Sequence, residues 1–122
     1  MLAPEQAAAL YVAAWNAPDA DTRFTHLLEV VADEVTVLDP HVRDPITTRA
    51  ALAAHIAHFR ADHDHAMEPT APLDVHHGVI RLRWRFHREA DGDTLQTGTT
   101  VAEIAPGVDG AGRLARILHF VD

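Results

Sequence analysis

Asp39 is the acidic residue whose place in the sequence best suits proton transfer. Val35, Val37 and Asp39 alternate along a short predicted strand, so they share one face of it. Because that face is apolar, we expect the carboxylate to point into the core, where loss of water raises the pKa of a carboxyl group. A carboxylate with a raised pKa can take and return a proton near neutral pH. The structural alternative is that Asp39 only caps the loop that begins at Pro40.

Two histidines lie where they could assist Asp39. His55 occupies the apolar stripe of a predicted helix, and His119 alternates with Ile117 and Val121 in a predicted strand. Imidazole titrates near neutrality, so either side chain could carry a proton. The alternative for each is a core histidine that is hydrogen-bonded to a backbone carbonyl.

The histidine spacing does not indicate a metal site. The chain has ten histidines and no cysteine, and it contains neither an HExxH segment nor a spacing typical of structural zinc sites. Gly110 and Gly112 belong to a predicted turn, and since no predicted helix follows them they do not indicate a phosphate loop. The sequence therefore predicts neither a resident metal nor an organic cofactor.

The composition indicates one small domain over residues 1–122. Of these 122 residues, 48% are apolar, which is enough for one core. The formal net charge of −8 argues against binding to nucleic acid or to an anionic membrane, because both need clustered Lys and Arg. No apolar run is long enough to span a membrane, and residues 1–10 lack the features of a signal peptide. We therefore expect a cytoplasmic protein.

Three helices are predicted in the first half of the chain. The first covers residues 4–16, from an early proline to an Asn-Ala-Pro segment. Asp19 or Asp21 caps a second helix that reaches about residue 32, and Thr47 or Thr48 caps a third that reaches about residue 62. Helical periodicity gives these two helices the apolar stripes Phe24, Leu27, Leu28 and Val31, and Leu52, His55, Ile56 and Phe59.

The rest of the sequence is predicted to form strands. One short strand precedes the third helix and three longer ones, joined by turns, follow it; they cover residues 34–39, 79–87, 94–104 and 114–121. Helices followed by consecutive antiparallel strands are typical of an α+β fold in which the helices pack on one face of a curved sheet.

Six segments carry a resemblance to a known family: YVAAWNAPD at 11–19, ADEVTVLDP at 32–40, HHG at 76–78 leading to Arg81 and Trp84, GTT at 98–100, GRL at 112–114 and HF at 119–120. Their order and spacing resemble the nuclear transport factor 2-like superfamily, most closely its SnoaL-like polyketide cyclase and ketosteroid isomerase branches. The resemblance covers nearly the whole chain. It implies a cystatin-like α+β roll, in which three helices wrap a cone-shaped, curved antiparallel sheet with a pocket at its open end.

The resemblance also implies roles for individual residues. Asp39 matches the general base that precedes a proline, and Tyr11 matches a phenolic hydrogen-bond donor on the first helix. Thr100 stands where the isomerase branch has a protonated aspartate, and His55 and His119 stand where that branch has apolar pocket residues. We therefore expect a more polar pocket and a different substrate. The predicted substrate contacts are Trp15, Phe59, Trp84, Thr100 and Ile117.

Two functions remain open on the sequence alone. In the first, a cofactor-independent enzyme uses Asp39 to abstract a proton beside the carbonyl of a small apolar substrate, for isomerisation or aldol-type cyclisation. Tyr11, His55 or His119 would then steady the enolate. In the second, the domain binds a hydrophobic small molecule, or dimerises, without catalysis. We also expect a homodimer formed through the outer face of the sheet, because the last predicted strand is apolar on both faces.

Overall fold

A computed structural model of the protein describes residues 2–61, 65–107 and 110–122. Three helices and six strands occur in these ranges: α1 (Pro4–Asn16), α2 (Ala20–Val30), β1 (Val31–Leu38), α3 (Arg49–Ala61), β2 (His65–Pro69), β3 (Asp74–His76), β4 (Val79–Arg88), β5 (Thr94–Ala105) and β6 (Arg113–Val121). The predicted α+β class, with three helices against a curved sheet, is confirmed. None of the helices in the described ranges has the length and apolar character that crossing a membrane requires.

The sheet is mixed rather than wholly antiparallel. Its strand order is β1-β6-β5-β4-β2, and β3 also pairs with β4. β6 runs parallel to β1, whereas the other named pairs are antiparallel. The predicted antiparallel sheet is therefore wrong at one pair. Apart from an isolated bridge between Val37 and Ile46, the described part of the chain pairs with β1 through β6, which comes long after α3, so no hairpin fixes the direction of this pair.

The local signals at the ends of α1 were sufficient to predict its bounds. Pro4 opens the helix with Glu5 in its first turn, and Asn16 closes it. The Asn16 side chain then joins α1 to β2 through two hydrogen bonds. Its amide nitrogen donates to the carbonyl of Met67 at 2.8 Å, and the Met67 N–H donates to its amide oxygen at 2.7 Å. This pair of bonds holds Tyr11 and Trp15, both buried on α1, against the sheet.

Helix α2 departs from the predicted apolar stripe. Asp19 caps it by accepting a hydrogen bond from the Thr22 N–H at 2.7 Å, as predicted, but the helix ends at Val30. Leu28 is exposed, and Arg23 is buried in the position expected for an apolar residue. The Arg23 guanidinium donates to the carbonyls of Ala14 and Ala17, at the end of α1. These bonds satisfy a buried charged group, which the helical period alone does not predict.

Helix α3 carries its predicted cap and stripe. The Thr48 hydroxyl accepts from the Ala51 N–H at 3.0 Å, and Leu52 and Ile56 are fully buried. His55 and Phe59, on the same stripe, are partly buried. The predicted end of this helix, near residue 62, lies outside the described residues.

Strand β4 alternates as predicted, with a buried face that includes Trp84 and Phe86. The indole of Trp84 lies across β5 at Gly98, and its Nε1–H donates to the Thr100 hydroxyl at 2.9 Å. A Cβ atom at Gly98 would overlap both the Trp84 ring and the carbonyl oxygen of Phe120. Glycine is therefore needed at this position to give the indole its place on the sheet.

Candidate active site

Asp39 lies just beyond the end of β1 with its side chain only 4% exposed. Val35 and Val37 are buried on the same strand, so the predicted inward direction of the carboxylate is confirmed. The capping interpretation is also confirmed. Oxygen Oδ1 accepts the backbone N–H of His41 at 2.8 Å and lies 3.0 Å from Nδ1 of the same residue. Asp39 thus closes the turn after β1 and faces the interior.

The second carboxylate oxygen joins two distant elements. Oδ2 lies 2.8 Å from Nδ1 of His119 on β6 and 3.2 Å from Nε2 of His55 on α3. The structure therefore brings together the three residues that the sequence singled out for proton transfer. With the two contacts from His41, these bonds fill about the four acceptor positions that a carboxylate offers.

The pKa of Asp39 is lowered, so the predicted rise is wrong. Burial alone would raise the pKa of this carboxyl, as expected from its strand position. Hydrogen bonds from His119, His55 and the backbone N–H of His41 stabilise the ionised form and outweigh the burial. Asp39 is therefore a carboxylate at neutral pH, and each imidazole nitrogen that contacts it carries a proton.

Tyr11 extends the cluster into the core. Its hydroxyl lies 2.7 Å from Nε2 of His119. Nδ1 of His119 donates to ionised Asp39, so the neutral form of the ring has its lone pair on Nε2, and in that form the Tyr11 hydroxyl donates to Nε2. Burial raises the pKa of the Tyr11 phenol, and the negative charge of Asp39 acts in the same direction. We call Asp39, Tyr11, His41, His55 and His119 the Asp39 cluster.

Tyr11→Phe tests this inner end of the cluster. The substitution keeps the ring but leaves Nε2 of the buried His119 without its donor. We expect the free energy of unfolding to fall by about 1–3 kcal/mol, because an unsatisfied buried acceptor loses its solvation without compensation. Urea titration at neutral pH measures the change. A Tyr11→Phe protein as stable as the wild type would contradict the Tyr11–His119 bond.

Two neighbouring cavities adjoin the Asp39 cluster. The inner one has a volume of about 20 Å³, close to the space that one water needs. It is lined by Trp15, Asp39, His41, Phe59, Met67, Trp84, Phe86, His119 and Val121. The outer one has a volume of about 290 Å³ and is lined by His41, Phe59, His65, Phe86, Leu95 and Gln96. His41, Phe59 and Phe86 belong to both walls and therefore separate the two spaces.

The predicted substrate contacts divide into two groups. Trp15, Phe59 and Trp84 line the inner cavity. Thr100 and Ile117 are buried and line neither of these two cavities; Thr100 is the acceptor for the Trp84 indole. Thr100 therefore positions Trp84 rather than standing open to a ligand.

His41 belongs to the cluster although sequence reasoning missed it. The available signal was local, since an aspartate often accepts the backbone N–H two residues further along the chain. In the segment Asp39-Pro40-His41 this bond brings the imidazole back over the carboxylate. Within the described residues, no cluster of His, Asp or Glu has the arrangement of a metal site, and independence of metals stays a prediction.

No family model matches the sequence, and no curated protein matches it. Solved structures are similar over nearly the full chain. A candidate isomerase of the SnoaL-like family from Agrobacterium tumefaciens is 26% identical, with a TM-score of 0.84 over 95% of this chain and 94% of its own. A candidate polyketide cyclase from Sinorhizobium meliloti is 20% identical, with a TM-score of 0.70 over 96% of this chain and 94% of its own. An NTF2-like protein of unknown function from Exiguobacterium is 19% identical, with a TM-score of 0.70 over 95% of this chain and 98% of its own.

The two lower identities establish the fold alone. The similarity to the SnoaL-like structure is higher in both identity and TM-score, and it spans all the elements that position the Asp39 cluster. It agrees with the order of segments in the sequence, from the first helix to the closing His-Phe pair. The predicted resemblance to the nuclear transport factor 2-like superfamily and its SnoaL-like branch is therefore confirmed by similarity to these solved structures.

Proposed function

We propose that this protein is a cofactor-independent enzyme that moves a proton on an enolisable carbonyl substrate, in an isomerisation or an aldol-type cyclisation. The observation that carries the proposal is the Asp39 cluster beside the aromatic inner cavity. Three imidazoles meet one buried carboxylate, within 2.8–3.2 Å of its oxygens. A carboxylate that holds one nitrogen of an imidazole fixes its tautomer and stabilises its protonated form, which suits proton transfer.

Asp39 acts in this proposal as the anchor of the imidazoles. A raised pKa would have supported a direct role for Asp39 as the base. The pKa of this carboxyl is lowered instead, so that support is absent. Its oxygens already accept bonds from His41, His55 and His119. In this proposal an imidazole paired with Asp39 accepts the proton, because imidazole takes up a proton near neutral pH.

Trp15 is the donor that we propose for the developing enolate oxygen. Its ring lines the inner cavity, and its buried Nε1–H meets no well-aligned acceptor among the described residues, although it lies near enough to the Tyr11 hydroxyl to oppose the rise in the pKa of that phenol. A buried donor without a partner is unfavourable by about 1–3 kcal/mol, so an oxygen that enters the inner cavity would gain this bond. The inner cavity has space for about one such atom, and the rest of a substrate would occupy the outer cavity.

The names of two similar structures support the same class of reaction. One is a candidate isomerase and the other a candidate polyketide cyclase, which are the two kinds of reaction that the proposal names. The homodimer stays a prediction; Phe120, 53% exposed on β6, supports it by leaving an aromatic ring uncovered on the outer face.

Binding without chemistry is the second candidate function. The small volume of the inner cavity favours it, since a substrate reaches Trp15 and His119 only if Phe59 or His41 moves aside. A hydrophobic ligand in the outer cavity would need no such movement.

Hydrogen–deuterium exchange separates the two functions. Cyclohexanone and β-tetralone have exchangeable protons beside a carbonyl, and loss of their NMR signals in D₂O reports enolisation. We expect the wild-type protein to accelerate exchange of at least one ketone well beyond the rate seen with Asp39→Asn, which lacks the anchoring charge. Equal rates for the two proteins would contradict the proposed enzyme and leave binding as the function.

A further inference from the structure

We infer that His41 is the catalytic base of this site, and that its Nε2 takes the proton from the substrate. This inference rests on the proposed function and names the proton acceptor within it. His41 follows Asp39 by two residues, and its side chain is 45% exposed.

The turn after β1 fixes the protonation of the His41 ring. The backbone N–H of His41 donates to Oδ1 of Asp39 at 2.8 Å, and Nδ1 of the same residue lies 3.0 Å from that oxygen. Because ionised Asp39 only accepts, Nδ1 carries the proton and the lone pair of the neutral ring is on Nε2. The carboxylate thus presents a basic nitrogen on the side of the ring away from itself.

The other two imidazoles are less suited to meet a substrate. Both nitrogens of His119 are engaged, Nδ1 with Asp39 and Nε2 with the Tyr11 hydroxyl. His55 binds Asp39 through Nε2, and its ring lines neither of the two cavities described above. His41 lines both cavities and is the most exposed of the three side chains.

Phe59 packs beside the His41 ring. The two ring centroids are 5.6 Å apart, and Phe59 lines the same two cavities. A ketone that occupies the outer cavity would therefore lie against His41, and its oxygen would reach Trp15 once Phe59 has moved aside. The tautomer, the exposure and the position at the junction of the cavities all indicate the same atom, Nε2.

The proton-transfer step balances within the protein and the substrate. The proton of the C–H bond beside the carbonyl passes to Nε2 of His41. The electron pair of that bond forms the enolate double bond, and the carbonyl oxygen becomes the anion. The imidazolium is stabilised by the charge of Asp39. It then returns the proton to another carbon in an isomerisation, or to the alkoxide formed when the enolate attacks a second carbonyl in a cyclisation.

Two variants of His41 test the assignment. Asparagine places an amide N–H where Nδ1 stands, so His41→Asn keeps a donor to Asp39 but has no basic nitrogen. We expect its rate of ketone deuterium exchange to fall by roughly a hundredfold or more, the usual range for a lost general base. His41→Ala should lose as much activity and regain at least part of it when free imidazole is added, beyond the effect of imidazole on Asp39→Asn. His58, an exposed histidine on α3, provides the matched control. The His58→Asn protein should accelerate ketone exchange as much as the wild type does.

The outcomes separate this inference from the function on which it rests. If the wild type is active and His41→Asn keeps an exchange rate within a few-fold of it, the base is another residue and the inference fails alone. Loss of activity in His41→Ala without rescue by imidazole assigns His41 a structural role and also overturns it. If the ketone exchanges no faster with the wild-type protein than with Asp39→Asn, the proposed function fails and the inference fails with it.

Discussion

Asp39→Asn is expected to abolish catalysis and to destabilise the fold at the same time. Asparagine has no negative charge to stabilise an imidazolium, so exchange should fall by roughly a hundredfold or more. It also replaces one acceptor oxygen by an NH₂ group, which faces N–H donors from the surrounding histidines. We expect the free energy of unfolding near pH 7 to drop by about 2–3 kcal/mol, since hydrogen bonds to a buried charge contribute about that much.

The stability difference between the wild type and Asp39→Asn should depend on pH in a definite direction. The pKa of Asp39 is lower in the folded protein than its ordinary value of about 3.9, so its contribution to stability is present above that value. The contribution is lost as the pH falls from about 4 toward the folded pKa. The stability difference between wild type and Asp39→Asn should therefore be largest near neutrality and shrink in acid. A raised pKa would predict the opposite, a neutral or slightly stabilising substitution at pH 7.

Asp33→Asn is the matched control for this experiment. Asp33 lies on β1, the strand that leads to Asp39, and its side chain is 90% exposed beside Arg49. Exposed ion pairs contribute little, so we expect a change below about 1 kcal/mol at any pH. Urea titrations of the three proteins at several pH values measure the effect. An Asp39→Asn protein with wild-type stability and wild-type exchange would contradict both roles of the carboxylate.

Gly98→Ala adds one methyl group to β5 and should strongly destabilise the fold. Its Cβ would overlap the Trp84 ring and the carbonyl oxygen of Phe120 on β6. The indole cannot withdraw without breaking its bond to Thr100, and the carbonyl belongs to the strand that carries His119. We expect a loss of about 3 kcal/mol, at the upper end of what overpacking a core usually does. Unfolding by urea and a shift in tryptophan fluorescence report the two effects.

Gly92→Ala separates crowding from backbone strain. Gly92 has a φ of +77°, but nothing lies within 4 Å of the position of its Cβ. Alanine there should lower the stability by roughly 1 kcal/mol, from the left-handed backbone alone, and leave the fluorescence unchanged. A Gly98→Ala protein that is no less stable than Gly92→Ala would contradict the close approach of Trp84 and Phe120 to β5.

Local signals predicted the three helices and four of the six strands in the described residues, but not the short strands β2 and β3. Proline, capping and alternation gave the bounds of α1 and the faces of β4, because each depends on residues close together in the sequence. Arg23 and Leu28 on α2 are two residues whose burial the helical period predicted wrongly. Arg23 is buried because its guanidinium meets the carbonyls that end α1, a contact that periodicity does not contain. The parallel pairing of β1 with β6 is non-local in the same way.

The candidate site likewise has features that local sequence patterns predict and others that depend on contacts between distant residues. The period of two placed the Asp39 side chain in the interior, and the resemblance pointed to Tyr11. The direction of the Asp39 pKa was wrong because the donors that lower it, on His55 and His119, are 16 and 80 positions away. Burial can be inferred from one strand, whereas a hydrogen-bond donor on another element cannot.

The central place of β6 in the sheet has a consequence for folding kinetics. This strand inserts between β1 and β5, and its His119 meets Tyr11 from 108 positions earlier in the chain. Such contacts give a high contact order, and loop closure before they form makes folding slow. Until β6 docks, the edges of β1 and β5 are open to pairing with other chains, which favours aggregation of chains whose sheet is not yet complete. The last event of folding should therefore be the one that creates the Asp39 cluster, so activity and native structure return together.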